Sequence, residues 1–330
     1  MQETNTYPAR LEAMESPAPV ALSVVLVAIG SLQHIARGLD ALLAQRDAPK
    51  FETIVVADPR LGDLAPLRKK YPGAVILSRE GCRTPIQLAA FGIASANGER
   101  ILLTEDSCIA RDDWVGRLAS TEWRGRAAVG GVIEPTADIS PAMWAFYFVD
   151  FFRYMKPAAE GPSPSLSVCN VAYHRSHLEA LASVWESGFH ETEIHRSLQE
   201  KFGPLHLDPS AEVQVRRSVS FSDAVYERYA FGRLFAATRV AYASPARRLY
   251  YLLFSPALPI LLMGRMTAKA LGTKSALPAF IRALPSLLSM VFAWTWGEWL
   301  GYVTRRYPQR ITTAPELSRA PGPGELTVGT

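Results

Sequence analysis

The chain is short of cysteine and of net charge, and each shortage argues against a class of protein. Cys82, Cys108 and Cys169 are the three cysteines in 330 residues. They form no CxxC pair and no even-numbered framework, which argues against a structural zinc or a disulfide scaffold and fits a reducing compartment. Cys169 beside Asn170 has no triad-like surroundings, so it reads as a small buried residue. The net charge is only +4. With no RNP-type, zinc-knuckle or helix-turn-helix pattern, nothing points to nucleic acid as a partner. Residues 1–20 lack a basic stretch leading into an apolar one, so they read as a flexible lead-in rather than a signal peptide. A Gly-rich phosphate loop near the start is also missing, which argues against a nucleotidyltransferase. Residues 311–330, rich in Pro, Gly and Thr, read as a disordered tail.

What is present is core material. Hydrophobic residues make up 48% of the chain and charged ones 20%, the balance of a globular protein. The first half alternates strand and helix patterns. LSVVLVAI (22–29) is a continuous β-branched run, as in a strand buried on both faces. Ser31 is placed to cap the helix LQHIARGLDALLAQ, whose apolar residues recur at helical spacing. FETIVVAD (51–58) and AVILS (74–78) read as further strands. PIQLAAFGIASA (85–96) reads as a helix with proline in its first turn. ERILLTED and AAVGGVIEP continue the series. Such alternation implies parallel βαβ units, and ligands of such sheets gather outside the carboxyl ends of the strands. Asp58, Glu105 and Asp106 stand at such ends.

The second half differs. Residues 141–180 are aromatic and read as irregular. WESGFHETEIHRSLQEKFG reads as a loop running into a helix, LHLDPSAEVQVRR as a strand, and DAVYERYAFGRLFAATRV as an amphipathic helix. From Leu249 the chain turns membrane-like. LYYLLFSPALPILLM is interrupted by Pro256 and Pro259, while LPSLLSMVFAWTWGEWLGYV reaches the ~20 apolar residues a span needs but contains Glu298. Basic residues bracket both, which leaves no inside–outside asymmetry. Residues 241–310 read either as a short transmembrane hairpin or as helices lying in the headgroup region, and the interfacial form is favoured.

Two adjacent acids at a strand end suit Mg²⁺ or Mn²⁺ bound jointly with phosphate oxygens. Capping of the following helix is the plainer use for them. The order of features weighs against the plainer use. A strand (LSVVLVAI), a helix ending near a Gln (GLDALLAQ), a strand ending in an acid (ETIVVAD), then GIASANGERILLTED, AAVGGVIEP, SVCNVAYHR and FHETEIHRSLQEKFG follow one another over residues 20–240. This series resembles the inverting glycosyltransferases of family 2, with the GT-A fold.

The resemblance implies an α/β, Rossmann-like and mostly parallel sheet flanked by helices over residues 21–240, followed by a membrane-associated helical region. It implies that Asp58 contacts the nucleotide and that Ala28 and Ile29 lie against it through backbone groups. Glu105 and Asp106 would hold metal and diphosphate. Glu191 would be the catalytic base, with Glu193 the second choice, and Asn170 would belong to an acceptor segment. Ser107 replaces the usual third acid and His190 stands where an acidic pair is usual. Trp144 and its aromatic neighbours could line an acceptor groove. Arg216, Arg217, Arg228 and Arg233 could bind phosphate or form a basic helix face. The expected activity is sugar transfer from a nucleoside-diphosphate donor to a lipid-linked or polysaccharide acceptor at the cytoplasmic membrane face. The alternative is a weak or inactive domain serving as a membrane-bound nucleotide-binding or scaffolding subunit.

Overall fold

The computed structural model describes residues 21–306 and Pro308, except 83, 137–138, 217–219 and 241–242. The expected lead-in, the expected tail and Arg217 lie outside the described residues. The elements run β1 (Leu22–Ala28), α1 (Leu32–Leu43), β2 (Phe51–Ala57), α2 (Ala65–Lys70), β3 (Ala74–Ser78), α3 (Pro85–Ser95), β4 (Arg100–Glu105), β5 (Cys108–Ala110), α4 (Trp114–Ser120), β6 (Ala128–Pro135) and α5 (Pro141–Phe151). They continue with β7 (Gly161–Ser163), β8 (Val171–His174), α6 (Arg175–Glu179), α7 (Ala182–Trp185), α8 (Glu191–Phe202), β9 (Leu205–Val215), α9 (Phe221–Arg239), α10 (Pro245–Phe254), α11 (Leu258–Gly272) and α12 (Leu277–Thr304).

Two compact units result. The first comprises the residues up to Ile133 together with Ala158–Gln214. Among the described residues it is built on a 9-stranded sheet ordered β3-β2-β1-β4-β8-β6-β9-β5, with β7 paired to β9. β1, β2, β3 and β4 are parallel, whereas β8 runs antiparallel to both β4 and β6. Every residue of β1 is buried, as expected of a strand covered on both faces. Ser31 caps α1 by accepting from the His34 amide. Gln45, just beyond α1, ties that helix to the start of α4 and the residues before it. Its amide nitrogen donates to the carbonyls of Ala41 and Arg111 and its oxygen accepts from the Val115 amide.

The strand order reverses at β1. The chain steps from β1 to β2 to β3 on one side, then returns to place β4 on the other. Register sets Ala28 beside Ala57 and Val27 beside Glu105, so the carboxyl ends of β1, β2 and β4 lie level. Such a switch point is where open α/β sheets bind ligands.

The second unit comprises Glu134–Pro157 and the residues from Val215 onward. This division differs from the expected boundary at residue 240, because α5 and α9 pack with the C-terminal helices. Nor is the segment from 141 irregular throughout. Ser140 accepts from the Met143 amide and starts α5. Gly232 and Gly297 let α9 and α12 touch backbone to backbone: an added Cβ would lie 2.2 Å from the Trp294 carbonyl oxygen and 2.0 Å from that of Tyr229, respectively. α9 is not the amphipathic helix expected, since it buries Glu227 and Arg228. Arg228 pairs with Asp150 of α5 and lies against the rings of Phe146 and Phe231. The carboxyl end of α12 is held by Arg248, which donates to the Tyr302 and Val303 carbonyls. Cationic donors suit that end of a helix.

Candidate active site

At the switch point the acids foreseen at the strand ends come together. The Asp58 amide donates to the Ala28 carbonyl at 2.8 Å and the Asp106 amide to that of Val27 at 2.9 Å. Each acid is thus fastened to the end of β1. Asp106 is buried, and its Oδ2 accepts from the Gly30 amide at 2.8 Å. Burial raises its carboxyl to about 6. The Gly30 and Ile29 amides and the nearby His34 oppose that rise, and Glu105 adds to it. Gly30 leaves room for the close approach: a Cβ there would sit 2.5 Å from His34 Nδ1 and 3.1 Å from Asp106 Oδ2. Gly30 and His34 are the members of the site that sequence reasoning missed. Their signal was only the break after β1 and the first turn of the helix that follows.

Asp58 is buried and carries more than was expected of it. Both its oxygens receive the Arg60 guanidinium, at 2.5 to 3.1 Å, and Oδ1 also accepts from the Arg60 amide. Of the two backbone contacts proposed for a nucleotide, the Ala28 carbonyl is already occupied by Asp58. Ile29 directs its amide at Asp106.

Glu191 begins α8, and its Oε2 accepts from the Val168 amide at 3.0 Å. One residue on, the Cys169 thiol is raised well above its ordinary value. The causes are its hydrogen bond with Cys108, then burial, then the charge of Glu105. The segment that holds Cys169 thus also carries the amide that binds Glu191. Glu193 is two residues along α8, where side chains do not share a face with position 191. His190 lies before the helix, and burial lowers its imidazole, against a smaller opposing effect of Glu193. His195 is deep in the core, with Nε2 2.8 Å from the Tyr173 hydroxyl.

Two residues expected on the acceptor side have packing partners of their own. Asn170 is fully buried. Its Oδ1 accepts from Trp114 Nε1, and its Nδ2 donates to the carbonyls of Val132 and Ala211. That side chain cross-links the sheet to α4 and has no group directed at an acceptor. Trp144 belongs to α5 in the second unit, packed edge-on against Tyr147.

Among the described residues no group of three or more His, Cys, Asp or Glu side chains is arranged to hold a metal. Glu105 and Asp106 are an adjacent pair of oxygen donors, one of them partly committed to an amide. This set fits a divalent cation that takes its remaining ligands from water and a diphosphate, as Mg²⁺ does. It does not make a complete protein cage.

No protein-family model and no curated protein sequence matches the chain. Solved structures do. The chain is similar to the mannosyltransferase PcManGT from Pyrobaculum calidifontis, described in complex with GDP-Man and Mn²⁺. The match has 14% identity and a TM-score of 0.52, covering 86% of this chain and 88% of that one. The chain has the GT-A fold. A second similar structure is S. aureus TarS 1–349, at 14% identity and a TM-score of 0.46, covering 82% of this chain and 80% of that one. Within the GT-A fold of this chain, the amides of Asp58 and Asp106 bond to the carboxyl end of β1, Glu105 pairs with Val27, and Glu191 accepts from the Val168 amide.

Proposed function

We propose that the chain is an inverting glycosyltransferase. It moves a sugar from a nucleoside-diphosphate donor to a lipid-linked or polysaccharide acceptor at the cytoplasmic face of a membrane. The observation that carries this reading is the convergence of Asp58, Glu105 and Asp106 on one switch point. The 14% identity to a protein described with GDP-Man and Mn²⁺ is compatible with it. Asp58 binds the nucleoside, with Arg60 holding its carboxylate in place. Ile29 and Gly30 fix Asp106 through their amides. Glu105 and Asp106 would hold Mg²⁺ or Mn²⁺, which would offset the charge gathering on a departing diphosphate. Glu191 takes the proton from the acceptor hydroxyl as that oxygen attacks the anomeric carbon from the face opposite the leaving group. The Val168 amide orients Glu191 by donating to its Oε2.

Glu191→Gln tests the reading. Glutamine keeps an acceptor for the Val168 amide, so the fold and donor affinity should persist while kcat falls by about 10²–10⁴-fold. Isothermal titration with UDP, GDP and their sugars, with and without Mn²⁺, reads the donor site. Absence of any metal-dependent nucleotide binding would sink the proposal. A second reading, a nucleotide-binding or scaffolding subunit without turnover, is favoured by Ser107. Its hydroxyl lies 3.8 Å from Cys108 Sγ and supplies no carboxylate. Nucleotide binding with no transfer to any lipid-linked or glycan acceptor would be its result.

A further inference from the structure

We infer that α10, α11 and α12 lie along one leaflet of an anionic bilayer and do not cross it. The inference deepens the membrane part of the reading above. By length and composition two helical stretches could span: Pro245–Gly272 and Leu277–Thr304, of mean hydropathy 1.3 and 1.5. Three observations argue that they do not.

The first is the length of hydrocarbon the first stretch can offer: the uncharged run between Arg248 and Arg265 is sixteen residues, 249–264. A span needs about 20. Within that run, α10 passes into α11 through one turn of 3-10 helix at Ser255–Ala257.

The second is where the apolar surface lies. On α12 the exposed large residues are Ile281, Leu288, Phe292, Trp296 and Val303. Intervals of 7, 4, 4 and 7 residues keep them on one side of a helix of 3.6 residues per turn. Its other side packs on α9 and α5 through Phe280, Gly297 and Gly301 among others. The stripe extends from Ile281 to Val303, about 33 Å of helix. A one-sided stripe of that length suits a helix immersed sideways to the depth of the headgroups. Leu249, Tyr250, Leu253 and Phe254 of α10, and Ile260 and Leu261 of α11, are exposed in the same manner.

The third is the partner of α12. Tyr229, Gly232 and Arg233 of α9 lie against its 294–301 stretch. If that stretch were in hydrocarbon, α9 would carry the incompletely buried Arg233 and Arg239 in with it, and charged groups are disfavoured there. Lying flat, the assembly keeps α9 on the aqueous side. The stacked pair Trp296–Trp299 then sits at headgroup level, where tryptophan is enriched. Arg247, Arg265, Lys274, Arg282, Arg305 and Arg306 are left to meet lipid phosphates, the charge complement of an anionic surface.

The test uses the full chain and vesicles of phosphatidylcholine and phosphatidylglycerol. Lys274, exposed between α11 and α12, is replaced in Lys274→Cys. The three native cysteines are buried and give little background. After vesicle binding, a membrane-impermeant maleimide is added outside. In-plane helices leave the introduced thiol equally reactive in intact and detergent-opened vesicles. Reaction only after detergent means that the tip has crossed, and overturns the inference. Phe292→Glu, at a site already 59% exposed, should fold normally and weaken vesicle partitioning at least about tenfold. Undiminished binding would overturn the placement of the stripe. If the wild type fails to sediment with vesicles, the inference fails. A dimer in gel filtration would then assign the stripe to a second copy of the chain. Nucleotide titration without vesicles reads the transferase proposal separately, so the two can fail independently.

Discussion

At the scale of single residues, hydrogen-bond partners decide what a buried polar group does. Asn170 stands in a segment that resembles an acceptor loop, yet its amide bridges Trp114, Val132 and Ala211. Asn170→Ala leaves one buried donor and two buried carbonyls without this partner. Unfolding free energy should drop by about 3 kcal/mol in urea titration. An unchanged stability with a raised acceptor KM would return Asn170 to the site. His195 gives the pH dependence. Its Nδ1 is buried without a partner, and burial lowers the imidazole from 6.5 to about 3. Below pH 6.5 the unfolded chain binds the proton and the folded one does not, so stability falls as pH falls through that window. Between pH 7 and pH 5 the loss is about 2 kcal/mol. His195→Gln should flatten this part of the stability–pH curve, and an unaltered slope would assign the dependence to other groups.

At the scale of elements, local pattern was informative wherever a segment is buried for its own composition. β1, β3, α1 and α3 fall within a residue or two of the apolar runs and caps that announced them. The acids at the ends of β2 and β4 could be placed for the same reason, since topology alone directs strand ends to a ligand. What the pattern could not show depends on distant partners. The amide of Asn170 bonds across 38 to 56 residues of sequence. The antiparallel half of the sheet is defined by β8 pairing with both β4 and β6, and β8 has only four residues. The place of α9 depends on glycines of α12 that lie more than sixty residues later. That interface gives a prediction of sign. Alanine is preferred to glycine within a helix by about 1 kcal/mol. At Gly264 of α11 a Cβ meets nothing within 4 Å, so Gly264→Ala should raise Tm slightly. At Gly297 the Cβ would overlap the Tyr229 carbonyl oxygen at 2.0 Å. Overlap with backbone outweighs propensity, and Gly297→Ala should lose about 2 kcal/mol by urea titration. Equal effects of the two substitutions would refute the close packing of α9 on α12.

At the scale of the whole molecule, the charge is unevenly distributed along the chain. Residues 244–306 hold eight basic side chains against one acid, Glu298, a net of +7 in a chain whose total is +4. The remainder is therefore net −3. A field of this kind favours an anionic surface at one part of the molecule and disfavours it at the rest. Each Lys or Arg near such a surface contributes about 1 kcal/mol, and salt weakens that attraction as the Debye length shrinks from about 10 Å at 0.1 M to about 3 Å at 1 M. Apolar burial is not screened in this way. Vesicle partitioning should therefore show two parts when anionic lipid and salt are varied. On vesicles containing phosphatidylglycerol, raising NaCl from 0.1 M to 1 M should reduce binding by at least about tenfold. On pure phosphatidylcholine, binding should be weaker at the outset and nearly independent of salt, because only the faces bearing Phe292 and Trp296 hold the protein there. Sedimentation across this grid separates the two parts. Binding that disappears entirely at high salt would make the attachment electrostatic alone. Binding indifferent to both salt and lipid charge would leave the basic residues that flank α10–α12 without a part in it.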